Sequence, residues 1–291
     1  MSDETVSEVR RRILETQELP PLPQVAAELL LLFQGSSEDD LERLRGIVEQ
    51  DPGLVARIMG WANSAYYGTR GSVRTLDRAI FGILGLRTVK SLLLSIVLNR
   101  TFNTRSCPSF ELEDYWHRAL LTAHCGRSTG TLLQEGGFAV DPDDAFLGGL
   151  LHNLGLLLLV HLYPKPMERV MRKTAHSDDE KLRRKEVEVL GLNHCQAGAW
   201  LTHRWHLPDQ ISGVISGHDD PQIHHTDRLA GLVGHCRRQV DRVVEPKSPT
   251  AQSAALRTPR WMGLTQADWR PQVEDLIDHR QRLLEQARNL S

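Results

Sequence analysis

Apolar residues recur along this chain at spacings of three and four, the period of one helical face. Val25, Leu29, Leu32 and Phe33 share such a face. They follow Leu19-Pro-Pro-Leu-Pro23, whose prolines suit a first helical turn, where amide hydrogens have no partner. Gly35 is expected to end this helix and Ser37 to cap the next, on which Leu41, Leu44, Ile47 and Val48 repeat. Asp51-Pro52 opens a third, closed by Asn63-Ser64 and Gly68. Thr75 caps a short helix that Gly85 breaks, and Thr88 to Phe102 forms one more.

A polar stretch from Phe102 to Ser109 precedes the second half. Helices are expected there over 115–133, 143–163, 166–174, 177–190, 193–205, 208–216 and 226–243, with a terminal helix over 265–289 carrying Val273, Ile277 and Leu284. Residues 245–260, rich in Pro, Ser and Thr, read as a flexible link. No alternating strand pattern stands out, so the fold class is all-α. The division is a lead-in over 1–18, a helical subdomain over 19–108, a second over 109–244 packed on the first, and a linker with its helix over 245–291.

Composition narrows the function classes. The chain has 291 residues and a formal net charge of −2, so no global basic field holds nucleic acid phosphates. Cys107, Cys125, Cys195 and Cys236 form no C-x-x-C pair, which fits a reduced cytoplasmic chain and speaks against a zinc ribbon. Cys125 and Cys195 have no base partner evident in sequence and read as small buried hydrophobes. The N-terminus has no secretory pattern. The most apolar run, Phe146 to Leu162, falls short of the ~20 residues of a bilayer span and reads as a buried helix. The charged run from Lys181 to Glu188 reads as a solvated face.

Two stretches go beyond periodicity. Asp51-Pro-Gly-Leu-Val-Ala-Arg-Ile-Met-Gly-Trp-Ala-Asn-Ser-Ala-Tyr-Tyr-Gly68, with Leu19-Pro-Pro-Leu-Pro23 and Leu84-Gly-Leu-Arg-Thr-Val89, resembles the HDOD family. This is a bacterial family distantly related to the HD phosphohydrolases. Leu150-Leu-His-Asn-Leu-Gly155, Leu190-Gly-Leu-Asn-His-Cys-Gln-Ala-Gly198 and Gly217-His-Asp-Asp-Pro221 are similar to its later segments, and the likeness extends to about Val240.

The resemblance implies a helical signalling or regulatory domain without hydrolase activity, which acts on other signalling proteins; the charge balance and the length of the apolar run lead to the expectation of no nucleic-acid and no membrane partner. It also says where a relic of the HD metal site lies. His117 matches the first histidine, His152 that of the His-Asp pair, Asn153 stands where the aspartate would be, and Cys236 where the distal aspartate would be. Both carboxylates that hold a hard cation are then missing, and no metal or other cofactor is expected. The alternatives are one divalent metal at His117 and His152, with residual phosphohydrolase activity; a softer metal such as zinc on histidines among His117, His124, His152, His194 and His218, with Cys236 in place of a carboxylate; or a nucleotide in the relic pocket. His124, His194 and His218 are weaker candidates for that pocket, read first as core histidines satisfied by hydrogen bonds. His224 and His225 are expected to face solvent. Asp51, Pro52, Arg57, Asn63, Ser64, Tyr67 and Gly68 carry the family motif and read as structural, with Arg57 expected to pair with Asp51 or Glu49.

Overall fold

The computed structural model describes residues 19–34, 38–64, 66–68, 72–174, 179–244 and 258–290. The lead-in before Leu19, Gly35, Ser37, Ser177 and the linker over 245–257 lie outside the described residues. Helices account for all regular structure among the described residues.

Helix α1 is Gln24–Gln34, α2 Glu38–Glu49 and α3 Pro52–Ala62. Asp51 starts α3: its carboxylate accepts from the amides of Gly53 and Leu54, and Pro52 follows at the position where a missing N–H costs nothing. Asn63 ends it, donating to the carbonyls of Met59 and Val73 and accepting from the Val73 amide at 2.7 Å. Gly68 takes φ +56°. A wide π-helical segment, Arg78–Leu84, follows, with the Thr75 hydroxyl accepting from the Arg78 amide and Gly85 at φ +82° leading into α4, Leu86–Asn99. Arg57 pairs with neither expected acid. Asp51 takes Arg100 at 2.6 Å and Glu49 takes Arg45, because these guanidinium groups reach the carboxylates across the surface while Arg57 lies half-buried.

The second part holds α5, Leu112–Glu135; α6, Pro142–Leu151; α7, Leu154–Leu162; α8, Pro164–Thr174; α9, Asp179–Leu190; α10, His194–Trp205; α11, Asp209–Gly217; α12, Arg228–Val244; and α13, Gln266–Leu290. The single helix expected over 143–163 is two. The chain leaves helical hydrogen bonding at His152 and Asn153 and resumes at Leu154. Counted through that break, Pro142–Leu162 runs 21 residues, long enough by length and composition to cross a bilayer. It is 89% buried inside the protein over its apolar window, beneath α5, α10, α11 and α12.

Helix α5 lies at the centre and packs on α6, α12 and α13. One hydrophobic cluster joins the two parts through Leu29, Ile58 and Leu92 on one side and Trp116, Leu150 and Leu201 on the other. A second lies under α13 and holds Leu121, Cys125, Cys236, Trp269 and Leu283. The buried stripe of α13 is Trp269, Val273, Leu276, Leu283 and Ala287, whereas Ile277 points outward, 44% exposed. Burial there follows the Trp269 register, which the expectation built on Ile277 missed.

Candidate functional site: a buried histidine, cysteine and aspartate cluster

Three chain segments converge behind α6: the His152-Asn153 break, the start of α10, and the turn after α11. Close backbone approach makes this possible. A methyl group on Gly155 would run into the carbonyl oxygen of His194, and one on Gly234 into that of His218. Glycine at these places lets α7 press on α10 and α12 on the turn at His218.

Local chemistry then orients each ring. Asn193 caps α10 with a reciprocal bond to Gln196, which sets His194 and Cys195 as the first two helical residues, both buried. The Glu186 carboxylate, fully buried on α9, accepts from the His194 amide at 3.0 Å and from its Nδ1 at 2.8 Å. His218 Nδ1 donates to the Val214 carbonyl at 3.0 Å, and His152 Nδ1 to the Gly149 carbonyl at 2.7 Å. In all three imidazoles Nδ1 is thereby engaged and Nε2 is buried without a hydrogen bond. His194 Nε2 is 3.2 Å from Asp219 Oδ2 but off hydrogen-bonding alignment. The rings of His152 and His218 meet edge to face with centroids 4.9 Å apart. Cys195 Sγ lies 3.8 Å from Asp219 Oδ2 and 4.0 Å from His218 Nδ1. Arg183, also on α9, reaches Asp219 at 3.1 Å.

Charge is concentrated here in a place water scarcely reaches. Burial opposes a proton on His194, yet Glu186, with Cys195 and Asp219, holds it well above the ordinary imidazole range. Burial likewise opposes charge on His218, which Cys195 and Asp219 raise. Burial would lift the Cys195 thiol, but His218 and His194 bring it down to about 6. Asp219 is held far below the carboxylate range against its burial, by His218, His194 and Arg183. His152 goes the other way: burial and the neighbouring His218 and Arg237 keep it neutral.

The expected pocket residues divide. His152 borders the cluster's His218, and the next residue, Asn153, has its Oδ1 buried without a hydrogen bond. His117 donates from Nε2 to the Arg280 carbonyl of α13 at 2.7 Å. Cys236 sits in the second hydrophobic cluster with Cys125, its Sγ 3.9 Å from Thr129 Oγ1. His124 is a core residue whose Nδ1 is 2.6 Å from the Tyr66 hydroxyl, with Tyr67 edge-on to Tyr66. His194 and His218, the weaker candidates, belong with Cys195 and Asp219 to the one group of three or more such side chains, among the described residues, close enough to share an ion. Their atoms lie within 4.8 Å of one another.

The HD ligand set does not fit a metal in this chain. His117 is tied to α13, Cys236 lies among apolar side chains, and Asn153 brings no charge.

Two readings are corrected. Cys195 is not an isolated buried hydrophobe, because it has two imidazoles and a carboxylate around it. The charged run of α9 is not only a solvated face, because Glu186 and Arg183 turn inward to the cluster. The eight-residue step from Glu186 to His194 spans a helix end and a turn, so no helical periodicity marks it. His224 is also only half exposed, stacked on Trp261 with ring centroids 5.2 Å apart, while His225 is exposed.

Known proteins agree with this architecture. The chain is 25% identical over 201 residues to an uncharacterized protein of Treponema pallidum (strain Nichols), a match covering 68% of this chain and 37% of that protein. It superposes on a candidate signal transduction protein from Marinobacter aquaeolei VT8 with a TM-score of 0.79 and 25% identity, over 99% of this chain and 65% of that one. The chain thus spans about a third to two thirds of these relatives. A Geobacter sulfurreducens HDOD domain protein of unknown function superposes with a TM-score of 0.72 and 20% identity over 99% of both chains. A candidate phosphohydrolase from Shewanella amazonensis SB2B gives a TM-score of 0.72 at 23% identity, over 97% of this chain and 98% of that one, a likeness of fold. The family model of the HDOD domain matches residues 19–221, ending short of the Val240 limit read from sequence, and this chain belongs to the HDOD family.

Proposed function

We propose that this chain is a non-catalytic regulatory domain that conveys a signal by binding other signalling proteins in a bacterial cytoplasm. One observation carries the reading: Cys236, which the resemblance sets where an HD hydrolase has its distal aspartate, faces Thr129 and Cys125 in an apolar cluster, and Asn153, set at the other aspartate, brings no charge. Metal-assisted phosphoryl chemistry needs anionic ligands and an open coordination place for water and substrate. The imidazoles nearest Asn153 are 0–1% exposed, which leaves a phosphate ester no access. Kinship with a candidate signal transduction protein supports the same role.

The test is turnover of a phosphomonoester and a phosphodiester by chain supplied with Mn, Fe or Mg. The expected result is no hydrolysis above that of metal alone, for this chain and for Asn153→Asp, which restores only one carboxylate. Metal-dependent hydrolysis that disappears in His152→Ala would overturn the reading in favour of a degenerate phosphohydrolase.

A further inference from the structure

We propose that His194, Cys195, His218 and Asp219 form a closed site for one zinc ion, which fastens the start of α10 to the turn after α11. The site is new relative to the HD ligand set, since it uses neither His117 nor Cys236 and includes a thiol.

Geometry comes first. Each of the four side chains offers one donor atom, and these atoms lie within 4.8 Å of one another. Tetrahedral zinc with ordinary Zn–N, Zn–O and Zn–S lengths needs donors roughly 3.3–3.6 Å apart, so the widest pairs must close by up to about 1.5 Å. The buried Nε2 atoms of His194 and His218, which make no hydrogen bond and lie 3.2 and 3.6 Å from the Asp219 carboxylate oxygens, are a second observation. Leaving a buried polar atom unsatisfied costs about 1–3 kcal/mol, and a metal removes that cost. On His194 the engagement of Nδ1 by a carboxylate is the outer-sphere arrangement of zinc-bound histidine, whereas His218 presents Nε2 3.6 Å from Asp219 Oδ1 and Nδ1 4.0 Å from Cys195 Sγ.

Charge permits a dication. Glu186, Asp219 and a Cys195 thiolate supply three negative charges against the guanidinium groups of Arg183 and Arg238, the second 3.5 Å from the His218 carbonyl. Binding zinc releases to solvent the Nε2 proton of the His194 ring, together with any proton on His218 Nε2 or the Cys195 thiol, as the Zn–N and Zn–S bonds form, while His194 Nδ1 keeps its proton on Glu186. A thiolate with two imidazoles selects zinc over Mg or Ca, which prefer oxygen. With four protein ligands the ion has no open position, so its role is structural or regulatory. Cys195 and Asp219, each 7% exposed, give the ion its way in.

The experiment uses untagged full chain purified without chelator. Zinc content is measured first, followed by titration with cobalt(II), whose thiolate charge-transfer absorption reports sulfur ligation. We expect about one equivalent of metal and a charge-transfer band. Cys195→Ser should abolish the band and weaken zinc by about a hundredfold or more, whereas Cys107→Ser should leave both unchanged. Glu186→Gln should weaken zinc by about 10–100-fold through its hold on His194. Zinc-edge X-ray absorption on the unsubstituted chain needs no variant to fold, and one sulfur in the first shell is expected. Absence of binding on zinc addition, a sulfur-free shell, or a band that survives Cys195→Ser would overturn the site. Metal loading tests this site, and phosphoester turnover separately tests the regulatory reading.

Discussion

Glu186 holds His194 by two atoms at once, its carboxylate accepting from the backbone amide at 3.0 Å and from the ring Nδ1 at 2.8 Å, with both side chains at most 1% exposed. The contact joins α9 to the first turn of α10 and fixes which ring nitrogen faces Cys195 and Asp219. Removing one member of a buried ion pair strands the other, at about 3–5 kcal/mol. Glu186→Ala should therefore lose about that much stability in urea unfolding. A loss below about 1 kcal/mol would mean the pair is not formed in solution.

Gly155 is expected to tolerate no side chain. A methyl group there meets the His194 carbonyl and the Gly198 backbone, neither of which can swing away as a side chain would. Gly155→Ala should cost about 3 kcal/mol or more by overpacking. Gly46→Ala is the control: its methyl meets nothing within 4 Å, and helix propensity alone should raise stability by up to about 1 kcal/mol. Denaturant melts of the two variants give the comparison.

His124 sets an acid limit. Burial keeps this imidazole neutral and lowers its value to about 3, with Arg127 and His279 adding to the shift. Between pH 6.5 and 3 the unfolded chain binds a proton that the folded chain refuses. Stability then falls as pH falls through that window, by up to about 1.4 kcal/mol per unit. His124→Asn keeps an acceptor for Tyr66 and does not titrate. Its unfolding free energy should decline less steeply between pH 6.5 and 4, and parallel slopes would refute the assignment.

Asn63 ties the end of α3 to Val73 through its amide oxygen and nitrogen. Asn63→Ala removes both bonds and leaves the Val73 groups without these partners, at about 1–2 kcal/mol. Asn63→Asp keeps the acceptor for the Val73 amide and should cost less. Urea midpoints that rank the two the other way would show that the oxygen is not what matters.

Most of the helical plan is legible without coordinates, because caps and periodicity are local. Asp51-Pro52, read as a helix start, opens α3 through side-chain bonds to amides two and three residues on. The break at His152-Asn153 escapes this reading, since leucines resume directly after these two polar residues and the interruption is shorter than one helical turn. The Ile277 assignment in α13 goes astray for a related reason: periodicity offers two adjacent stripes, and contact with α5 and α12 selects the one through Trp269 and Leu276.

The cluster divides the same way. The sequence by itself determined that histidines, a cysteine and acidic residues were available, and its resemblance to the HD relatives implied that Asn153 and Cys236 stand where an HD site has aspartates. Which of them meet was decided only by tertiary structure. His117 and Cys236 are drawn to α13 and the second hydrophobic cluster, while Glu186 and Arg183 of a charged helix turn inward to His194 and Asp219. The physical reason is that a cap or an apolar stripe is encoded within a few residues. A shared site depends on how closely helices distant in sequence can approach, and here that distance is set by glycines at 155 and 234 pressing against the carbonyls of His194 and His218.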